Sequence, residues 1–153
     1  ISHVHLINKL YSYGVNNKVV GWISCFLSER MQRVKINGIY SDAKVVPSGV
    51  PQGSVLGPLL FVIFINDLPE VCRDLSFLLL FADDAKLYRA INSGSDQLLL
   101  QESCQKVFRW ATEWCMNLNV SKCKVLSLST LKSNKLVCNY LFGSDDNTTT
   151  LES

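Results

Sequence analysis

The stretch LLLFADDAKLY at residues 78–88 decides the predicted fold, because an apolar run leads directly to two adjacent carboxylates and then resumes. We predict that residues 76–81 form a strand buried on at least one face and that residues 85–88 form a returning strand. Asp83 and Asp84 then fall at or beside the tip of a tight hairpin. Adjacent carboxylates repel each other unless a cation lies close to them, and Mg²⁺ is the hard, oxygen-preferring ion that fits best.

Ordinary turn chemistry is the alternative for this pair, since aspartate favours turns through local hydrogen bonds. The pair alone favours that alternative. The remaining motifs must therefore decide whether the two acids bind a metal.

The composition indicates one globular domain, or most of one. The chain has 153 residues, of which 48% are hydrophobic and 18% charged, and its formal net charge is +2. This length can bury a core, and so small a charge neither indicates nor excludes a polyanionic partner. Because the chain begins with Ile rather than Met and opens abruptly into a predicted helix, we expect a piece of a longer protein.

The cysteines and the apolar segments bear on where the protein acts. The six cysteines show no zinc-binding spacing, and Cys25, Cys104 and Cys115 fall in predicted helices, so they suit buried free thiols in a reducing, intracellular compartment, the nucleus or the cytoplasm. Gly57 and Pro58 interrupt the most apolar run, which is too short to span a bilayer, and no signal-peptide pattern is present. We expect no membrane partner and no secretion, and the sequence leaves the oligomeric state open.

Hydrophobic spacing predicts helices at residues 4–13, 18–28, 55–67 and 96–118, with Ser95 capping the last of them. Residues 31–36 and 39–46 alternate in polarity around Asn37-Gly38, a strong hairpin-turn signal. Further strands are predicted at 125–128 and 136–142, and residues 143–153 are predicted to be a polar, disordered tail. The predicted fold class is α+β, with a small antiparallel sheet around Asp83 and helices packed against it.

Two segments before the acidic pair could contact a polyanionic or nucleotide ligand. A basic ribbon lies on or beside the predicted hairpin at 31–46 and consists of Arg30, Arg33, Lys35 and Lys44. A solvated strand face explains this ribbon equally well. The loop SGVPQGSVLGP at residues 48–58 can bring its backbone close to a phosphate, and Gln52 can hydrogen-bond a base, although loops of this composition are more often connectors.

Taken in order, these motifs resemble the palm of a reverse transcriptase, most closely that of non-LTR retrotransposons. Residues 48–58 and the following helix resemble motif B of that family, and FADD at 81–84 resembles motif C, the metal-binding hairpin. Residues 114–128 resemble motif D, and residues 140–143 resemble the start of motif E. The resemblance covers residues 1–142, so we expect a partial fingers and palm domain there, truncated before its first catalytic strand.

The resemblance implies RNA-directed DNA synthesis by a two-metal mechanism, with two Mg²⁺ or Mn²⁺ ions and with template, primer and dNTPs as partners. Asp83 would be the principal metal ligand and Asp84 a weaker one, while Lys122, or else Lys124, would protonate or neutralise the leaving pyrophosphate. The residues expected against the incoming nucleotide and template base are Ser48, Gly49, Pro51, Gln52 and Gly53. Nucleic acid would contact Arg30, Arg33 and Lys35.

One part of the family pattern is missing from this sequence. The resemblance places another essential aspartate, that of motif A, upstream of the segment matching residues 1–3, and residues 1–14 contain no Asp or Glu. We therefore expect this polypeptide alone to be inactive. The alternative is a non-catalytic retrotransposon remnant that acts as a nucleic-acid-binding or protein-interaction module.

Overall fold

The structure, a computed structural model, describes residues 1–129, 139–144 and 147–151. The chain divides into two compact units, Ile1–Asn66 and Asp67–Ser153. The first unit contains helices α1 (His3–Ser12), α2 (Asn17–Leu27) and α3 (Leu56–Ile65), and the second contains α4 (Gly94–Glu113). The described strands pair antiparallel in two-stranded sheets. This mixed content of helices and small antiparallel sheets agrees with the predicted α+β class.

Side-chain caps explain where the first two helices begin. The Ser2 hydroxyl accepts a hydrogen bond from the His5 amide at 3.4 Å, and Asn16 Oδ1 accepts one from the Lys18 amide at 2.9 Å. Amides in a first helical turn otherwise lack an intrahelical partner. Gly14 follows α1 with φ +74°, in the backbone conformation that favours glycine after a helix. The predicted helices at 4–13 and 18–28 are confirmed to within a residue.

The core of the first unit forms where α1 packs against α2 and α3. Its most deeply buried side chains are Leu6, Leu10, Val20, Leu27, Leu60 and Phe64. Lys9 is also buried, at 3% exposure, and its Nζ donates to the Phe64 carbonyl at 2.5 Å. The last carbonyls of a helix lack intrahelical partners and attract cations, so the end of α3 accommodates this buried amine.

The predicted hairpin at residues 31–46 forms as two short ladders. Strand β1 (Met31–Gln32) pairs with β4 (Lys44–Val45), and β2 (Lys35–Ile36) pairs with β3 (Ile39–Tyr40). Asn37 and Gly38 form the turn at φ +51° and +84°, the positive values that a two-residue hairpin loop requires. All residues from 31 to 42 are exposed, so this hairpin presents both of its faces to solvent.

The second unit is built on strands β5 (Phe77–Phe81) and β6 (Asp84–Tyr88). Helix α4 and a 3₁₀ segment at Leu68–Cys72 pack against this hairpin and against each other. Leu78 is buried while Phe77 and Phe81 are exposed, so β5 has one buried face, as predicted.

A further strand pair, β7 (Leu141–Ser144) and β8 (Asn147–Thr150), lies against α4. The Gln101 side chain donates to the Leu141 carbonyl at 2.7 Å and accepts from the Leu141 amide at 2.8 Å. Phe108 and Phe142 meet edge to face at 5.7 Å between ring centroids. Strand β8 falls inside the predicted disordered tail at 143–153, because a run of β-branched threonines favours extended backbone.

Other boundaries in the second unit also differ from prediction. Helix α4 is capped by Ser93, not Ser95, and it ends at Glu113, not at 118. It stops because Cys115 adopts φ +52° and the Met116 amide donates back to the Ala111 carbonyl at 2.7 Å, the hydrogen bond of a Schellman motif. The predicted strand at 125–128 is absent from these described residues, which have irregular backbone. The predicted strand at 136–142 lies partly outside the described residues.

The five described cysteines are free thiols, as predicted, but Cys25 and Cys115 are exposed, contrary to the expected burial, because Cys25 lies on the exposed side of α2 and Cys115 lies beyond the end of α4. Cys138 lies outside the described residues. Burial, and to a smaller extent the neighbouring thiols of Cys72 and Cys123, together raise the pKa of the Cys104 thiol to about 11. Within the described ranges, no helix combines the length and apolar character needed to cross a membrane.

Candidate functional site

Asp83 and Asp84 lie at the tip of the β5–β6 hairpin, as predicted. The ladder runs from Phe77 opposite Tyr88 to Phe81 opposite Asp84, which leaves Ala82 and Asp83 as the two turn residues. Two-residue hairpin turns place their first residue at positive φ, and Ala82 adopts φ +51°. A Cβ in the left-handed region costs about 1–2 kcal/mol. The chain therefore holds a strained residue immediately before its acidic pair, an arrangement often found at functional sites.

Both carboxylates of the pair are exposed. Neither side chain has a hydrogen-bond or ion-pair partner within 1–129, 139–144 and 147–151. In the same described ranges, no cluster of three or more His, Cys, Asp or Glu could hold a metal ion. The pair fits an open Mg²⁺ site, because Mg²⁺ binds through one or two carboxylates and completes its shell with water and phosphate oxygens.

Arg89 fixes the base of this hairpin. Its Nε and Nη2 donate to Asp96 Oδ1 at 3.1 and 2.8 Å, and its Nη1 donates to the Leu75 carbonyl. Leu75 precedes β5, Arg89 follows β6 and Asp96 lies in the first turn of α4, so one side chain connects three elements. Hydrogen bonds from the Ser93 hydroxyl and from Arg89 lower the pKa of Asp96 to about 2. Sequence reasoning missed this anchor, although Ser93 and Asp96 have the spacing of a capping box.

The predicted nucleotide-contacting loop at residues 48–58 is closed by a serine. The Ser54 hydroxyl donates to the Pro51 carbonyl at 2.7 Å and accepts from the Gly57 amide at 3.0 Å. A Cβ on Gly57 would lie 2.7 Å from the Pro51 carbonyl oxygen, so only glycine fits there. Gly49 and Gly53 adopt φ +89° and +77°, where glycine is preferred. Ser54 and Gly57 were not among the predicted site residues, but a serine near the start of a predicted helix is a capping signal.

The start of α1 supports the same loop. His3 Nε2 donates to the Gly49 carbonyl at 2.8 Å, and the Gly49 amide donates to the Ile1 carbonyl at 2.7 Å. Ser48 and Gln52 are exposed, whereas Pro51 is half-buried. Gln52 thus sits at the surface of an anchored loop, with its amide available to a ligand.

The basic ribbon is exposed and lies in the first unit. Arg33, Lys35 and Lys44 are exposed and Arg30 is half-buried. Lys35 Nζ lies 4.9 Å from the centroid of the Tyr40 ring, which orients the amine at the surface. Residues 1–66 contain only two acids, Glu29 and Asp42, against six cations. This unit is therefore more positive than the chain as a whole, whose formal net charge is +2.

The two candidate lysines lie in the second unit, as Asp83 does. Lys122 ends a 3₁₀ segment at Val120–Lys122 and is exposed, and Lys124 is exposed beside it. The predicted site residues therefore form local groups on the 82–84 turn, the 48–58 loop, the 30–46 hairpin and the segment at 120–124.

Fold and site together define an α+β protein with an acidic hairpin turn, an anchored Gly/Pro loop and a basic hairpin. Residues 1–145 match the family described as reverse transcriptase (RNA-dependent DNA polymerase), and the chain belongs to this family.

Three of the relatives are polymerases of non-LTR mobile elements from Drosophila melanogaster. The chain is 35% identical over 113 residues to the RNA-directed DNA polymerase from mobile element jockey, an alignment covering 66% of this chain and 12% of that polymerase. It is 33% identical over 111 residues to the probable RNA-directed DNA polymerase from transposon BS, covering 67% of this chain and 12% of that protein. For the corresponding protein from transposon X-element the identity is 34% over 106 residues, with coverages of 67% and 12%. No solved structure matches the chain.

Proposed function

We propose that this chain supplies the metal-binding hairpin and the nucleotide-contacting loop of an RNA-directed DNA polymerase with a palm-like sheet. The observation that carries the proposal is the exposed Asp83–Asp84 pair at a strained two-residue turn, in a chain whose residues 1–145 match the reverse transcriptase family. The chain spans about 12% of the length of the relatives above. For the longer protein we propose RNA-directed DNA polymerisation with an RNA or DNA template, a primer and dNTPs as partners, in the nucleus or the cytoplasm.

Asp83 is the proposed principal ligand of the metal site, because it occupies the turn itself. Asp84 is already in the ladder, opposite Phe81, and is the proposed weaker ligand. Two Mg²⁺ or Mn²⁺ ions bound there would activate the primer 3′-hydroxyl and stabilise the leaving pyrophosphate.

The other predicted residues bind and orient the reactants in this proposal. Gln52, exposed on the anchored 48–58 loop, hydrogen-bonds the nucleotide or template base, while Gly49 and Gly53 allow close backbone approach. Lys122, or else Lys124, donates a proton or a positive charge to the pyrophosphate. The basic ribbon contacts phosphates of the nucleic-acid backbone.

We further propose that residues 1–153 alone do not catalyse polymerisation. The family resemblance implies another aspartate on the metals, and residues 1–14 contain no acid that could take its place. A non-catalytic nucleic-acid-binding role is the second candidate, favoured by the exposed basic ribbon, which does not depend on the acidic pair.

Primer extension on an RNA template tests the catalytic proposal, using the longest polypeptide that the gene encodes in frame across Ile1. Asp83→Asn should lower the extension rate at least about 100-fold, since a catalytic metal contributes several kcal/mol to transition-state stabilisation. Asp42→Asn, an exposed acid in the first unit, should leave the rate unchanged. Equal rates for Asp83→Asn and the wild type would contradict the proposal, and extension by residues 1–153 alone would contradict the proposed inactivity.

A further inference from the structure

A row of planar side chains runs along α2 and just beyond its end, with Trp22 exposed and Phe26 and Arg30 half-buried. Trp22 is 58% exposed, and its ring stacks on Phe26 with a centroid distance of 6.0 Å and an interplanar angle of 14°. The guanidinium carbon of Arg30 lies 5.7 Å from the centroid of the Phe26 ring. Trp22 and Phe26 share a helix face because they are four residues apart. We call Trp22, Phe26 and Arg30 the aromatic stack.

The surroundings of the aromatic stack are basic. Arg30 belongs both to the stack and to the basic ribbon, and its carbonyl accepts a hydrogen bond from the Val46 amide at 2.9 Å at the base of the hairpin. The only acids in residues 1–66 are Glu29 and Asp42, against six cations. An occupant of this surface must therefore combine negative charge with flat apolar groups.

Single-stranded nucleic acid has that combination, because its phosphates are anionic and the faces of its unpaired bases are open. Proteins bind it through a basic surface that follows the backbone and aromatic side chains on which bases stack. In a duplex the base faces are covered by neighbouring pairs, so a stacking surface has no access to them.

We propose that the aromatic stack is a base-stacking platform for single-stranded RNA or DNA, with the Trp22 ring against an unpaired base and the basic ribbon against the adjoining phosphates. This inference rests on the proposed function and deepens it, because it assigns unpaired template to a surface of the first unit. Trp22 remains 58% exposed beside its stacking contact with Phe26, so its side chain is accessible to a ligand.

Fluorescence anisotropy with labelled oligonucleotides of about 12 nucleotides tests the platform. Trp22→Leu should weaken binding of single-stranded oligo(dT) or oligo(rU) about tenfold, because stacking on one aromatic side chain contributes about that factor per base. Trp22→Phe keeps an aromatic plane and should bind within about threefold of the wild type. Tyr13→Leu removes another exposed aromatic of the first unit and should leave binding unchanged, and duplex binding should respond to none of these variants.

A second measurement does not depend on the stability of the variants. With 5-fluorotryptophan incorporated at Trp22, Trp110 and Trp114, the three tryptophans of the chain, addition of oligo(dT) should shift the ¹⁹F resonance of Trp22. An unshifted Trp22 resonance at saturating oligonucleotide would overturn the inference.

The outcomes separate this inference from the proposed function. A wild-type chain that binds no oligonucleotide at low salt would overturn the platform and the phosphate-binding role of the basic ribbon, whereas the primer-extension result tests the catalytic proposal separately. Single-strand binding by Trp22→Leu equal to that of the wild type would overturn the platform alone. Loss of self-association by Trp22→Leu with unchanged oligonucleotide binding would also overturn it and assign this face to a protein contact.

Discussion

The backbone at Ala82 shows how a single residue shapes the acidic turn. Its φ of +51° is one that glycine adopts without a steric penalty. We predict that Ala82→Gly stabilises the protein by up to about 1 kcal/mol, because relief of left-handed strain exceeds the added entropy of the unfolded chain. Urea denaturation followed by circular dichroism measures the change.

Ala85→Gly is the matched control for this prediction, since Ala85 lies in the β6 ladder opposite Leu80. At this position glycine relieves no backbone strain, so Ala85→Gly should destabilise the folded protein by about 0.5–1 kcal/mol. If both substitutions destabilised the protein equally, the strain assigned to Ala82 would be absent.

The burial of Lys9 could not be predicted from residue type alone. Apolar spacing located α1 correctly, but an amine is not expected at 3% exposure. Its burial depends on the Phe64 carbonyl, 55 positions later in the chain. No local pattern contains that information, whereas the turn at Asp83 was predictable because its strands and its acids are contiguous.

At the scale of elements, the Arg89–Asp96 pair joins the acidic hairpin to α4, and its contribution depends on pH. Asp96 has its pKa lowered to about 2 from 3.8. A carboxyl with a depressed folded-state pKa stabilises the fold above its unfolded pKa, and this contribution is lost as pH falls through the folded value. We therefore predict a loss of stability between about pH 4 and pH 2 in which Asp96 takes part.

Thermal unfolding across that pH range tests the assignment with Asp96→Asn. The variant should unfold at a lower temperature than the wild type at pH 7, and the difference should shrink as pH approaches 2. Asp74→Asn, an exposed acid of the same unit, should follow the wild-type curve. A difference for Asp96→Asn that is constant with pH would argue against the ion pair.

Helices and strands that end at a recognisable turn or capping residue were predicted well, and the others were predicted poorly. Asn37-Gly38 marked a hairpin turn, and the structure confirms that turn. Helix α4 ends earlier than predicted because Cys115 adopts a left-handed backbone conformation at φ +52°. A cysteine in the sequence does not indicate that conformation. Strand β8 pairs with β7, and Gln101 of α4 hydrogen-bonds β7. The polar composition of the segment gives no indication of these contacts.

At the scale of the whole molecule, charge is divided between the two units. The first unit carries the ribbon and few acids, so single-stranded nucleic acid should bind mainly there. We predict that Arg33→Gln combined with Lys35→Gln weakens oligonucleotide binding and lowers the slope of log Kd against log salt by about 1.4. Each phosphate contact to a single strand contributes about 0.7 to that slope.

Lys106→Gln is the control for the salt experiment, because Lys106 lies in the second unit and pairs with Glu102 at 3.6 Å. The slope of log Kd against log salt for Lys106→Gln should equal that of the wild type. Equal changes for the double variant and for Lys106→Gln would indicate a general effect of net charge and not a contact at the ribbon.

The order of the motifs was readable from the sequence, and the family match over residues 1–145 agrees with it. The hydrogen bonds that hold each motif in place could not be predicted from the sequence. His3 supports the 48–58 loop and Arg89 supports the hairpin through contacts with carbonyl groups. Carbonyl acceptors are present at every residue, so the chain does not specify which of them will be used.

Manganese titration of the chain, followed by paramagnetic broadening of its backbone amide signals, is the sharpest test of a metal site at the acidic turn. We predict that substoichiometric Mn²⁺ broadens the amides of residues 82–85 first. Asp83→Asn should abolish this broadening, while Asp42→Asn should leave it intact. Broadening that begins elsewhere, or that persists unchanged in Asp83→Asn, would contradict the assignment of the acidic turn as a metal site.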